Sequence, residues 1–289
     1  GIYDVSRPEQ LDRLKAVGFD AGFATPADAQ TLREMASRAR RLGMRLVVPF
    51  NLVEKLPAAE TRDWPVDAWF LQDEPDVNKV SPESLRRMSE KVRAWDPARP
   101  QAFVIGHGAA AERYGAIADI LMVDWYPVPH LPLDSVGDHV DMALKPLPPG
   151  KPLWFVAQAL DWRDVPQRDP KKPSVGRFPD HYEIRFMSYL AVVRGARGLY
   201  YYSLQPPSGR ILFDFPELWQ AVARVVWEVR AMQPIFESGR QVLIPFGALE
   251  PGMDGRAWRW RLNCGGQGPG FGFGYGWLDF WGHCCFGFW

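Results

Sequence analysis

The residues best equipped for chemistry are carboxylates set at short spacing. Leu71-Gln72-Asp73-Glu74-Pro75-Asp76 crowds three acids at the end of an apolar run. Like charges this close raise the proton affinity of at least one member, and a raised carboxyl can protonate a leaving oxygen near neutral pH. A second such end is Met122-Val123-Asp124-Trp125-Tyr126-Pro127. A third is Val156-Ala157-Gln158, followed by Asp161-Trp162, and a fourth is Tyr200-Tyr201-Tyr202. Asp4, Asn51 and His107 close further runs. Carboxylates for proton transfer, polar groups for hydroxyls and rings for the apolar faces of pyranoses make up the inventory of a sugar site. Each residue also has a plainer reading. Glu74 could cap the next helix, Asp124 could bond a loop backbone, and Gln158 could be a satisfied interior amide. Trp125 and Trp162 could fill a helix layer.

The elements that must position these groups alternate strictly. Near-continuous apolar runs at 2–5, 19–24, 45–50, 68–73, 102–105, 120–126, 153–158 and 198–204 read as parallel strands covered on both faces. Between them lie amphipathic segments with helix signals. Leu32, Met35, Ala39 and Leu42 recur at helical spacing, and Ser81-Pro82-Glu83 supplies an N-cap, a first-turn proline and a first-turn acid. Gly18, Gly43 and Gly195 stand where a left-handed cap would end a helix. Residues 51–65, bracketed by prolines, predict a short or irregular helix. Eight β-then-α units over residues 1–232 predict an α/β fold, a (β/α)8 TIM barrel, whose working residues lie at the C-terminal strand ends. An open doubly wound sheet would carry a glycine-rich phosphate turn after its first strand, and Ser6-Arg7-Pro8 stands there instead.

After Met232 the pattern breaks. Residues 233–263 read as a small, incomplete β extension, with strands at 241–245 and 257–262. Residues 264–289 are almost wholly glycine and aromatic, without an amphipathic period, and read as a disordered or aberrant tail. Across the chain 34 basic residues balance 34 acidic ones, which argues against a nucleic-acid partner, and no apolar run reaches membrane-span length. The three cysteines all follow residue 263, so the main body has neither a disulfide framework nor a thiolate metal site. The histidines lack ligand spacing, and neither metal nor cofactor is expected. A cysteine-poor body fits export, so a secreted or periplasmic location is expected over a cytoplasmic one.

In this arrangement the chain resembles the clan A glycoside hydrolases over residues 1–232. The matches are Glu74-Pro75 at the fourth strand end, Asp124-Trp125-Tyr126-Pro127 at the sixth, Lys151-Pro152-Leu153-Trp154-Phe155 leading into the seventh, and Gly198-Leu199-Tyr200-Tyr201-Tyr202 as the eighth. The resemblance implies that Glu74 is the acid/base and that Tyr126 lines the site. Asp73 stands where that clan has Asn, and Gln158 where it has the nucleophilic Glu. A neutral amide cannot serve as that nucleophile. The Asp73-Glu74 pair also resembles β-hexosaminidase-type barrels, in which Asp orients the substrate's own acetamide as nucleophile. That route needs a bulge or twist, because adjacent strand residues point to opposite faces. Alternatively Asp124 or Asp161 acts as nucleophile, or as base for water.

The expectation is thus an O-glycosidase with Glu74, Asp73 and Asp124 as its catalytic group. Asp4, Asn51, His107, Tyr126, Gln158, Asp161, Trp162, Tyr200 and Tyr202 are expected to bind a carbohydrate substrate. A catalytically inactive carbohydrate-binding barrel is the alternative from another class. A sugar lyase with Tyr126 or His107 as base is a third reading. The charged, proline-rich stretch 165–179 is expected to wall or cover the site.

Overall fold

Apolar runs separated by capped helices become a consecutive parallel sheet. Its strands are β1 (Ala21–Phe23), β2 (Arg45–Pro49), β3 (Val66–Asp73), β4 (Gln101–Ile105), β5 (Ile120–Trp125), β6 (Leu153–Gln158) and β7 (Gly198–Tyr202), paired in that order. The structure is a computed structural model and describes residues 1–165, 174–205 and 212–237. The helices are α1 (Pro8–Ala16), α2 (Ala29–Leu42), α3 (Pro82–Trp95), α4 (Ala111–Tyr114), α5 (Ser135–Leu144), α6 (His181–Val193) and α7 (Pro216–Glu237). Their ends follow the side chains. Asp28 accepts from the Thr31 N–H at 2.7 Å, and Asp180 and Glu183 form a reciprocal capping box. Gly43 closes α2 at φ 62°. Between β2 and β3, where a poor helix is expected, there are two short 3-10 turns, Phe50–Leu52 and Ala58–Thr61.

One expected strand is corrected. Residues 2–5 form no strand but two isolated parallel bridges, Ile2 with Tyr201 and Val5 with Ala24. Between them Asp4 takes φ 64°, which breaks the extended backbone and any continuous ladder. The segment still joins both sheet edges. The Tyr3 N–H donates to the Tyr201 carbonyl at 2.9 Å, the Val5 N–H to Phe23 at 3.0 Å, and the Phe23 N–H to Ile2 at 2.8 Å. Seven strands and this segment therefore complete an α/β TIM-type barrel.

The alternation of strand side chains divides the core in two. Phe23, Val47, Ala68, Phe70, Val104, Met122 and Val156 fill the barrel interior. Their neighbours Leu46, Trp69, Phe103, Val123 and Phe155 pack outward beneath the helices. The described residues include no helix long and apolar enough to cross a membrane. Of the expected 233–263 β extension, residues 233–237 continue helix α7 instead, and the rest, with the 264–289 tail and residues 166–173 of the expected cover, lies outside the described residues.

Candidate functional site

Two adjacent residues of a regular strand cannot both face one mouth, and at the end of β3 the strand is not regular. Phe70 pairs with Ala102, yet Asp73 pairs with Val104, so β3 carries one extra residue between them. Glu74 then takes φ 37°, an uncommon region for a residue with a side chain. A tight turn holds this geometry. The Asn78 N–H donates to the Glu74 carbonyl at 2.8 Å, the Val80 N–H to Pro75 at 2.9 Å, and the Asn78 side-chain amide to the Asp73 carbonyl at 2.8 Å. Both Asp73 and Glu74 act electrostatically on Asp124 of β5, across the mouth.

Asp124 faces inward because Met122 does, two residues before it. It is 7% exposed, and one of its carboxylate oxygens is buried with no hydrogen-bond partner among the described residues. Burial first, then the charges of Glu74 and Asp73, hold its pKa well above the carboxylate range, and a hydrogen bond from Tyr126 pulls the other way. Each of the first three causes favours the protonated form of this carboxyl. Burial likewise raises the Tyr126 hydroxyl, with the Asp124 charge next in weight.

Aromatic rings wall the mouth. Tyr126 stacks on Tyr202 with centroids 5.7 Å apart, Tyr3 meets Tyr202 edge-on at 5.7 Å, and Trp162 lies 6.3 Å from Tyr126. The Trp162 indole donates to the Tyr126 carbonyl at 3.1 Å, which fixes its plane. A cavity of about 750 Å³ opens from Tyr3, Asp4, Asp73 and Tyr202 past Asn51 and Gln72 to Arg87 and Lys91 on α3. Its size suits a small ligand of several rings. Asp4 reaches the cavity through its left-handed backbone. Burial pushes its pKa up to about 6, opposed by hydrogen bonding with Ser203.

Other expected residues are placed elsewhere. Tyr200 is 3% exposed and stacks on Trp154 at 5.4 Å; the charges nearest it are Asp67 and Arg45, at the opposite strand ends. It packs the lower barrel and does not reach the mouth. Gln158 is fully buried. Its amide donates to the Val128 carbonyl at 2.7 Å and to Leu160 at 3.1 Å, and its oxygen accepts from the Val128 N–H at 2.8 Å. Asp161, also fully buried, binds the Arg163 guanidinium and N–H. His107 is exposed and accepts from its own turn at Ala109, 3.3 Å away. Trp125 points outward, stacked 3.5 Å from His139 and bonded to Ser135.

Sequence reasoning gave no role to Tyr3, Gln72 or Gly106, and read Asp76 only as a member of the acidic cluster. Tyr3 had a signal, since the residue beside Asp4 must share the mouth once the backbone turns. Asp76 clamps the end of β4, its two oxygens accepting from the Gly106 and His107 N–H groups at 3.1 Å each.

No family model matches the sequence, and no curated protein matches it. Solved glycoside hydrolases share its barrel. A beta-galactosidase from the Antarctic haloarchaeon Halorubrum lacusprofundi matches with TM-score 0.58 and 12% identity over 79% of this chain, which spans 57% of that one. A glycoside hydrolase family 17 beta-1,3-glucanosyltransferase from Rhizomucor miehei gives 0.53 and 14%, covering 73% of this chain and 91% of that one. The GH53 catalytic domain of Ignisphaera aggregans gives 0.52 and 14%, covering 75% and 88%. At such identities the likeness is one of fold: the chain has the same α/β TIM-type barrel as these glycoside hydrolases.

Proposed function

We propose that this chain hydrolyses an O-glycosidic bond of a carbohydrate, with Glu74 as general acid/base. The observation that supports this best is the placing of Glu74 beside a buried Asp124, whose proton affinity burial and the Glu74 charge raise, at an aromatic-walled barrel mouth. Carboxyls that repel one another in a buried site hold their last proton more tightly than isolated ones.

The partner of Glu74 is Asp73. Asp161 is committed to Arg163, and burial raises the proton affinity of Asp124, which weighs against it as the resting nucleophile. The bulge in β3 supplies the twist that a paired Asp73-Glu74 requires. In this reading the substrate is an N-acetylhexosaminide. Asp73 orients the acetamide, whose oxygen attacks the anomeric carbon while Glu74 gives its proton to the departing oxygen. Water then opens the cyclic intermediate and returns a proton to Glu74. Tyr126, Tyr202 and Trp162 offer ring faces to the sugar, and Asp4 and Asn51 bind hydroxyls along the cavity.

Turnover of a panel of aryl glycosides that includes N-acetylhexosaminides tests this. Cleavage of the acetamido sugars, lost in Glu74→Gln, is expected; equal activity of wild type and variant refutes the acid assignment. One observation favours a second reading, a barrel that binds sugar without cleaving it: β6 ends in a backbone-locked Gln158 rather than a carboxylate. Sugars that raise the melting temperature with no turnover on the whole panel would establish that reading instead.

A further inference from the structure

We infer that Gly106 and Asp76 form the seat that aims the Glu74 carboxyl, making both positioning residues for proton transfer. The inference rests on the glycosidase reading above. A Cβ built at Gly106 would stand 3.0 Å from Glu74 Oε1, tighter than ordinary contact, and 3.4 Å from its carboxyl carbon, so the carboxyl would have to give way by a few tenths of an ångström. The absent side chain is therefore the space in which the acid lies. The backbone of Gly106 does not need glycine for its own sake, since its φ is outside the left-handed region. What glycine supplies here is room.

Asp76 fixes where that room is. Its Oδ1 and Oδ2 accept from the consecutive N–H groups of Gly106 and His107, both at 3.1 Å, a charge-assisted pair that ties the turn after Glu74 to the end of β4. Pro75, buried and with its φ restricted by the ring, is the only residue between Glu74 and Asp76. The acid and its seat are thus linked twice, through the chain and across the strands. Displacing the β4 end moves the seat, and filling it moves the acid.

Misplacing a catalytic group by about 1 Å can cost about 100-fold in rate. A misaimed acid has a signature that general damage lacks, because substrates with poor leaving groups need the proton and activated ones do not. The experiment measures kcat/KM for Gly106→Ala, Asp76→Asn and Glu74→Gln against a leaving-group series on the sugar that the wild type cleaves. Melting temperatures check that each variant folds. Both seat variants are expected to lose about 10- to 100-fold on unactivated leaving groups and little on dinitrophenyl glycosides, following the pattern of Glu74→Gln. Asn at 76 keeps the shape but turns one acceptor into a donor, so its loss is independent of packing at Gly106.

Val77 is the other neighbour of the added Cβ, at 2.7 Å, so Val77→Ala is combined with Gly106→Ala. Continued impairment of the double variant is expected, and full recovery would assign the clash to Val77 and overturn the inference. So would a loss uniform across leaving groups, or no loss, while Glu74→Gln shows the graded pattern. If Glu74→Gln itself shows no gradient, or the wild type cleaves nothing, the acid assignment has failed and the seat falls with it.

Discussion

Replacing Asp4 with Asn should make the protein more stable at neutral pH and leave it unchanged in acid. Asp4 lines the cavity, where burial moves its pKa from an ordinary 3.8 to about 6. The folded state thus binds this proton more tightly than the unfolded one. Between those two values stability falls as pH rises, and above about 6 the whole cost is present. At 1.36 kcal/mol per pH unit, a change from 3.8 to about 6 is worth about 3 kcal/mol. Asn removes the charge, keeps an oxygen for Ser203 and tolerates the backbone at φ 64°. The expected gain is about 1–3 kcal/mol at pH 7, shrinking to nothing below pH 4. Urea denaturation of wild type and variant at pH 4, 5, 6 and 7 reads the difference directly. A variant that is less stable at pH 7, or offset by the same amount at every pH, would refute the account. Substrate affinity should fall in the same variant, since a hydroxyl acceptor loses its charge.

Two further outcomes follow from buried groups. Asp124→Asn should move the basic limb of the pH–activity profile down, because the last proton of the two carboxyls is then held by Glu74 alone, without the repulsion that makes its loss costly; an unmoved limb would disconnect the two carboxyls. Gln158→Glu places a buried charge against the Val128 and Leu160 carbonyls. It should destabilise the fold by about 3–5 kcal/mol in thermal or urea melts and give no gain in turnover, whereas a clear rise in glycosidase activity would mean that the amide merely replaces a lost nucleophile.

Much of the barrel is visible in the sequence because each strand is covered on both faces, leaving apolar runs with little polar interruption. The limits of β6 are those its apolar run predicts. Glu74, Asp124 and Tyr126 are visible as polar residues ending such runs. What is hidden is height and handedness. A period of two tells that Tyr200 and Tyr202 share a face, but not that the first sits near the barrel floor and the second at its rim. The β3 bulge and the positive φ at Asp4 and Glu74 arise from closing the barrel and from the tight turn beyond, which no local propensity encodes. The commitment of Gln158 to Val128, thirty positions earlier in the chain, is a tertiary event of the same kind.

The five residues that join β7 to β1 also carry a mechanical load. They are the seam of the barrel: Gly1 and Tyr3 bond to the β7 side, while Ile2 and Val5 bond to the β1 side. Tyr3 and Asp4, on that same seam, line the cavity. Ring closure and assembly of one cavity wall are therefore a single event. An excursion that parts the seam also dismantles part of the cavity wall, and a ligand gripping Tyr3 and Asp4 acts as a stitch across it.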